Sequence, residues 1–169
     1  AIIGSNGIGK TTLARLLCRS ISYTHGSICG EQPFYIMQDA DYQLFGTSVH
    51  AELGIADHKI AEEDRQAVME YLQLQKYADK HPFSLSGGQK QRLCVALAAL
   101  SPARILFFDE PTSGLDYGSM QNVCALIDSI TGKTNASVII THDYEFILNT
   151  CNRAVLLEDG RIKEDFQLN

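Results

Sequence analysis

The stretch Gly4-Ser5-Asn6-Gly7-Ile8-Gly9-Lys10-Thr11-Thr12 constrains this chain more than any other. Apolar Ala1-Ile2-Ile3 precedes it, and Leu13, Leu16 and Leu17 follow at helical spacing. Strand, glycine-rich loop and helix in direct succession form the context in which G-x-x-x-x-G-K-[ST] wraps phosphate groups. The glycines let backbone N–H groups close around an anion where a Cβ would clash. The helix N-terminus adds its dipole. In such a loop Lys10 reaches the β- and γ-phosphates of a nucleotide, and the Thr11 hydroxyl ligates Mg²⁺. The competing reading, an idle glycine turn, leaves the flanking strand and helix unexplained.

A second anion site lies far along the chain. Leu85-Ser86-Gly87-Gly88-Gln89 places a hydroxyl, two glycines and an amide ahead of a helical run, Lys90 to Leu100. Taken alone, a serine-capped helix after a glycine turn explains it better than ligand binding does. Arg104-Ile105-Leu106-Phe107-Phe108-Asp109-Glu110-Pro111 reads as a central parallel strand, apolar on both faces, with two carboxylates at its C-terminal end. That end is where α/β sheets place ligands. Asp109 suits a Mg²⁺-holding role and Glu110 the residue that polarises an attacking water. Ser137 to Thr141 is another buried strand, ending at His142. A lone strand-end histidine is more often structural, but this one shares an edge with Asp109 and Glu110. Phe34 to Met37 reads as a third buried strand, with Gln38 at its end.

Between these motifs the chain is less informative. Ser22 to Pro33 is turn-rich, with a short strand candidate at Ser27-Ile28-Cys29. Asp39 to Gly46 combines two acids with Tyr42, Leu44 and Phe45, which read as exposed and either tuck into the core or form a docking patch. Thr47 to Lys80 reads as helical, with Val49 and Leu53 marking one helix and Ala67, Val68, Tyr71 and Leu72 a second. The next helix is expected to bury Leu93, Ala96, Leu97 and Leu100. Thr112 to Asp116 is a turn before a helix marked by Met120, Val123, Cys124, Ile127 and Ile130, which Asp116 could cap. Asp143 to Asn149 reads as a short helix. Ala154–Leu157 and Arg161–Phe166 form a hairpin candidate about Glu158-Asp159-Gly160.

Bulk properties exclude some functions. Net charge is −6 without a Lys/Arg block, which disfavours a long nucleic-acid groove. Cysteines 18, 29, 94, 124 and 151 form neither a C-x-x-C pair nor a His/Cys cluster, so they read as reduced thiols of a cytosolic core. The longest apolar run, Val95 to Leu100, is far short of the ~20 residues of a membrane span. The chain starts at Ala1, without Met and inside a strand, and so reads as a fragment.

The set, in this order, resembles the ATP-binding-cassette (ABC) ATPases from end to end. Gly4 to Thr12 matches Walker A and Gln38 the Q-loop. Leu85 to Gln89 matches the ABC signature, Ile105 to Asp109 Walker B, Ser113 to Asp116 the D-loop, and His142 the switch histidine. The resemblance implies an α/β P-loop fold with a mostly parallel sheet flanked by helices. Residues 1–46 and 101–169 would form a RecA-like core and 47–100 a helical subdomain carrying the signature. It implies ATP and Mg²⁺ as ligands. Gly4, Ser5, Asn6, Gly7, Gly9, Lys10, Thr11 and Thr12 would hold the nucleotide, and Thr11, Gln38 and Asp109 the metal. Glu110, His142, Gln38 and Lys10 would act in catalysis. Two cassettes pair head to tail in this family, so Ser86, Gly87, Gly88, Gln89 and Asp116 would contact nucleotide bound to the partner. The second phosphate site is thereby explained.

Met37 to Phe45, with His81-Pro82-Phe83-Ser84, further resembles the ATPases of energy-coupling-factor importers for vitamins or metal ions. That resemblance implies a peripheral place on the cytoplasmic membrane face. The partners implied are a second ATPase domain, a transmembrane coupling subunit and a substrate-binding membrane protein, with no nucleic acid. Two departures stand out. The antiparallel strands and adenine-stacking aromatic that precede Walker A in the family are absent, from which weak ATP binding and exposed sheet edges are expected; such stacking contributes on the order of 1–3 kcal/mol. The segment Gly26 to Phe34 is also short for the family. The alternatives are a DNA-repair or chromosome-organising head, a soluble cassette protein acting on ribosomes, and a regulatory non-hydrolysing cassette. The short interval from Gln38 to Leu85, without heptads, argues against the first. Lys10, Glu110 and His142 argue against the last.

Overall fold

Six strands of the described residues pair into one sheet: β1 (Ile2–Ile3), β2 (Phe34–Ile36), β3 (Ile105–Asp109), β4 (Ala136–Ile140), β5 (Arg153–Glu158) and β6 (Arg161–Gln167). The structure is a computed structural model and describes residues 1–56, 60–131 and 136–168. The strand order is β2-β3-β4-β1-β5-β6. The first five strands run parallel and only β6 is antiparallel, paired to β5. The mostly parallel α/β fold expected from the sequence is the one observed.

Six α-helices form among the described residues: α1 (Lys10–Leu17), α2 (Val49–Ala56), α3 (Glu62–Tyr71), α4 (Gly87–Leu100), α5 (Tyr117–Thr131) and α6 (Tyr144–Thr150). Burial is continuous from Leu106 to Asp109 along β3 because both sheet faces are covered. Leu106 and Phe108 enter the larger core with Ile139, Leu93 and Ile127. Phe107 enters a smaller core with Ile2, Ala14, Cys18, Ile140 and Leu157 beneath α1. Helix α4 joins the parts, packing against α2, α3, α5 and β2. Its buried Leu93, Ala96 and Leu97 follow the expected spacing, whereas Leu100 is half-buried at its end.

Several local expectations change. Ser27-Ile28-Cys29 is not a strand; the Arg19 guanidinium donates to the Gly30 carbonyl at 2.9 Å, meeting one backbone acceptor of that bend without a ladder. In the region read as helical from 47 to 80, α2 and α3 form, followed by a 3₁₀ turn at Gln75–Tyr77, and residues 57–59 of it lie outside those described. Within α3 and its cap it is Met69 and Leu72 that turn inward, three apart, while Ala67 and Tyr71 face out. Of the apolar trio after Gln38, Leu44 is buried and only Tyr42 and Phe45 are exposed. The β5–β6 hairpin is longer than expected, and Asp159 and Gly160 at its turn both have positive φ, as a tight two-residue hairpin turn needs. Strand β6 is exposed along its length and forms one sheet edge.

Leu93 is fully buried where the helices meet the sheet. Leu93→Ala should lower the unfolding free energy by about 2–5 kcal/mol, and Tyr71→Ala by less than about 0.5 kcal/mol, in urea titrations.

Candidate functional site

The glycine-rich loop leaves β1 and enters α1 through conformations that few residues adopt. Gly4, Gly7 and Gly9 have φ of 151°, 80° and 103°. A Cβ on Gly4 would lie 2.6 Å from the Leu157 carbonyl oxygen, so glycine is required there by contact as well as by conformation. Gly9 takes the left-handed N-cap position of α1. Lys10, the first helical residue, is only 8% exposed. Its amine folds back across the loop and donates to the carbonyls of Gly4 at 2.8 Å and Ser5 at 3.0 Å. The ammonium therefore hangs over the loop, held by dipoles that carry no net charge and leave it attractive to an anion.

The carboxylates at the end of β3 diverge. Asp109 is 1% exposed and faces β2, where the Tyr35 hydroxyl donates to Oδ2 at 2.6 Å. Its other oxygen, Oδ1, is buried and has no hydrogen-bond partner. A charged oxygen left bare in this way fits a cation or cation-bound water. Among the described residues no group of three or more His, Cys, Asp and Glu could hold a metal by itself. One carboxylate and the Thr11 hydroxyl, completed by water and phosphate, suit Mg²⁺ in particular. Burial, reinforced by the neighbouring Asp109 carboxylate, pushes the Tyr35 phenol well above its ordinary range and outweighs the opposing influence of Arg15. Tyr35 therefore remains a donor at physiological pH.

Glu110 turns the other way, toward β4. Its φ of 50° is left-handed, which costs a non-glycine residue on the order of 1–3 kcal/mol and marks a position held by its surroundings. Those surroundings are specific. The Glu110 N–H donates to the Ile140 carbonyl at 2.8 Å, the Thr141 hydroxyl donates to Oε2 at 3.1 Å, and His142 Nδ1 lies 2.9 Å from Oε1. The carboxylate is mostly covered, whereas the His142 side chain is 73% exposed. A fixed acceptor at the cavity wall, beside an imidazole that reaches outward, can orient a water and hand protons along.

These parts converge. A cavity of about 390 Å³ is lined by Asn6, Gly7, Gly9, Lys10, Thr11, Thr12, Gln38, Asp109, Glu110 and His142. Gly4 and Ser5 do not line it, although their carbonyls accept from Lys10, which does. Ser86, Gly87, Gly88, Gln89 and Asp116 do not line it. Gly87 instead borders a separate cavity of about 580 Å³ with Gln38, Asp41, Lys90, Gln91 and Ser113. Another cavity, of about 490 Å³ near Ala1 and Cys151, carries no charged side chain. Gln89 has local tasks: its Oε1 accepts from the Ser86 N–H at 2.9 Å, and its amide donates to the Tyr77 hydroxyl at 2.8 Å. Asp116 caps α5, and hydrogen bonds from Ser119 hold its carboxyl below the usual range.

Four contributors escaped the sequence reading. Tyr35 and Thr141 carry hydroxyls in runs that read as buried strand, and a buried hydroxyl needs a partner, which was the only signal. Glu52 is 2% exposed and accepts from the N–H groups of Phe45, at 2.7 Å, and Gly46. It fixes the loop that turns Tyr42 and Phe45 outward. Lys90 of α4 ties that loop to the helix through Asp41 at 2.5 Å.

Comparison with known proteins gives a consistent picture. The sequence profile of the family described as "ABC transporter" matches residues 1–113. A protein of Treponema denticola named as an ABC transporter ATP-binding protein is 57% identical over 182 aligned positions, covering 100% of this chain and 37% of its own length. A similarly named protein of Pyrococcus horikoshii is 29% identical, covering 96% of this chain and 70% of its own. The chain thus spans little more than a third of the Treponema relative. Among solved structures, cbiO1 from Clostridium perfringens, part of the ABC transporter complex cbiONQ, superposes with a TM-score of 0.82 at 25% identity, covering 99% of this chain and 76% of that one. A bacterial Atm1-family exporter with ATP bound shares the fold, with a TM-score of 0.84 at 23% identity, over 99% of this chain and 33% of that one.

The contact beneath Gly4 is directly testable. Gly4→Ala should destabilise the protein by about 1–3 kcal/mol, seen as a lower denaturation midpoint, through its clash with Leu157 and its backbone conformation.

Proposed function

We propose that this chain, which belongs to the ABC transporter family, binds and hydrolyses ATP to power a membrane transporter. One observation carries the reading: Lys10, Thr11, Asp109, Glu110, Gln38 and His142 surround a single cavity at the C-terminal edge of the sheet. Phosphoryl transfer to water needs placement and charge neutralisation more than covalent help, and this set supplies both. The loop N–H groups and Lys10 bind the phosphates. Thr11, Asp109 and Gln38 would hold Mg²⁺, which would neutralise phosphate charge. Glu110 orients the attacking water and accepts its proton, while His142 holds the Glu110 carboxylate and reaches toward the γ-phosphate.

The remaining motif fits a paired arrangement. Ser86, Gly87 and Gly88 lie outside the Lys10 cavity at the start of α4, so we assign them, with Gln89 and Asp116, to nucleotide bound by a second cassette. That cassette is an identical copy or a paralogue. The division into a core of residues 1–46 and 101–169 and a helical subdomain of 47–100 belongs to the same reading, since the subdomain would carry the signature across to the partner.

The finer assignment is an importer of the energy-coupling-factor type for a vitamin or metal ion, seated on the cytoplasmic membrane face. The likeness to cbiO1 and the Met37–Phe45 segment support it. No helix of the described residues is long and apolar enough to cross a membrane. The partners in this reading are a second ATPase domain, a transmembrane coupling subunit and a substrate-binding membrane protein. Exposed Tyr42, Phe45 and Phe83, beside the Lys90–Asp41 pair, offer the coupling subunit a surface.

The test is Glu110→Gln in the full-length protein. Steady-state phosphate release should fall by about 10²–10⁴-fold while ATP still binds and ATP-held pairs accumulate on size exclusion. Wild-type turnover would remove Glu110 from the mechanism. Chelation of Mg²⁺ should abolish turnover in the unmodified protein and re-addition restore it; turnover persisting in excess EDTA would contradict the assigned metal site.

A further inference from the structure

The parallel pairing of β2 and β3 sets Tyr35 opposite Phe107, two residues before Asp109. From there its hydroxyl reaches the Asp109 carboxylate at 2.6 Å, a short bond of the kind a phenol makes to an ionised acceptor. The bond has a consequence beyond satisfying a buried hydroxyl. A carboxylate can exchange its two oxygens by rotating about its last torsion, and that torsion is broad. With Oδ2 committed to Tyr35, rotation is stopped and Oδ1 alone is left without a partner. The choice of donor matters too. An arginine or lysine here would cancel the carboxylate charge, whereas a neutral phenol orients the group and leaves its charge for a cation.

We propose that Tyr35 is a positioning residue for the metal site, its hydroxyl locking the Asp109 carboxylate so that Oδ1 is presented to Mg²⁺ or to Mg²⁺-bound water. The proposal rests on the reading of Asp109 as the metal-holding carboxylate. Tyr35 touches neither nucleotide nor metal in this scheme; it acts through Asp109. Partners that orient metal-binding groups from behind typically change metal affinity by 10–100-fold when removed.

The test uses full-length protein and a fluorescent ATP analogue bearing a ribose-linked reporter. Affinity is measured in EDTA, and Mg²⁺ is then titrated into the analogue complex. Tyr35→Phe keeps the ring and deletes only the donor. It should raise the half-saturating Mg²⁺ concentration by about tenfold or more, with affinity in EDTA within about twofold of wild type. An unchanged Mg²⁺ requirement overturns the proposal. Equal losses with and without Mg²⁺ also overturn it, because they report a general packing defect. Asp109→Asn separates this inference from the reading beneath it. If Asp109→Asn shifts the Mg²⁺ requirement and Tyr35→Phe does not, only the role of Tyr35 falls. If Asp109→Asn leaves the requirement unchanged, the metal assignment falls and Tyr35 with it. Should Tyr35→Phe fail to fold, 3-fluorotyrosine at position 35 retains the hydroxyl. Its ¹⁹F resonance should move when Mg²⁺ joins the ATP complex, and should stay still in the Asp109→Asn background; a resonance indifferent to Mg²⁺ in the unmodified background overturns the proposal.

Discussion

The backbone of Ile140 is the point on which the site depends. It is the register partner of Ile2 in β1 and of Asp109 in β3, and its carbonyl accepts the Glu110 N–H at 2.8 Å. One buried residue at the end of β4 thus aligns the strand that launches the phosphate loop with the strand that ends in two carboxylates. Side chains alternate faces along a strand, so a slip of β3 by one residue against its neighbours β2 and β4 would turn Asp109 away from Tyr35 and the cavity. Phe107 and Phe108 fill cores on opposite sides of the sheet and anchor β3 between them.

From that alignment the chemistry is divided among neighbours. Asp109 leans toward β2 and is tied by Tyr35, while Glu110 leans toward β4 and is tied by Thr141 and His142. The left-handed backbone at Glu110 lets consecutive carboxylates leave one strand in different directions. Lys10 completes the wall from the other side, parked on two loop carbonyls that a phosphate oxygen can replace as its partners.

The phosphate loop, both carboxylates and the strand-end histidine were legible in the sequence because each combines a short motif with an apolar flank, and the flanks dictate the shared sheet edge. The helix of Met120, Val123, Cys124, Ile127 and Ile130 was legible for a similar reason, since all five are buried. The regions without such strict periodicity were not. Leu44 carries the same apolar label as Phe45, and only the buried Glu52, which holds the backbone of Phe45 and Gly46, decides which of the two faces water. Tyr35 read as one more apolar strand residue because its partner lies 74 positions away and depends on the β2–β3 register. The Ser27–Cys29 segment reads as a strand because a side-chain bond from Arg19 to the adjoining Gly30 carbonyl is invisible to local propensity.

In the proposed pairing, this chain carries one complete phosphate pocket and half of another. The start of α4 has the hydroxyl, the glycines and the helix dipole of an anion site, yet Gly87 lines a cavity other than that of Lys10. The most direct measurement compares ATP affinity at dilution with steady-state hydrolysis in full-length protein carrying Ser86→Arg. The account predicts affinity within about twofold of wild type and turnover lowered by about a hundredfold or more, the scale of one lost transition-state donor. Affinity and turnover falling together would mean that Ser86 serves the nucleotide bound by its own cassette, and turnover at the wild-type level would mean that the α4 terminus serves no nucleotide at all.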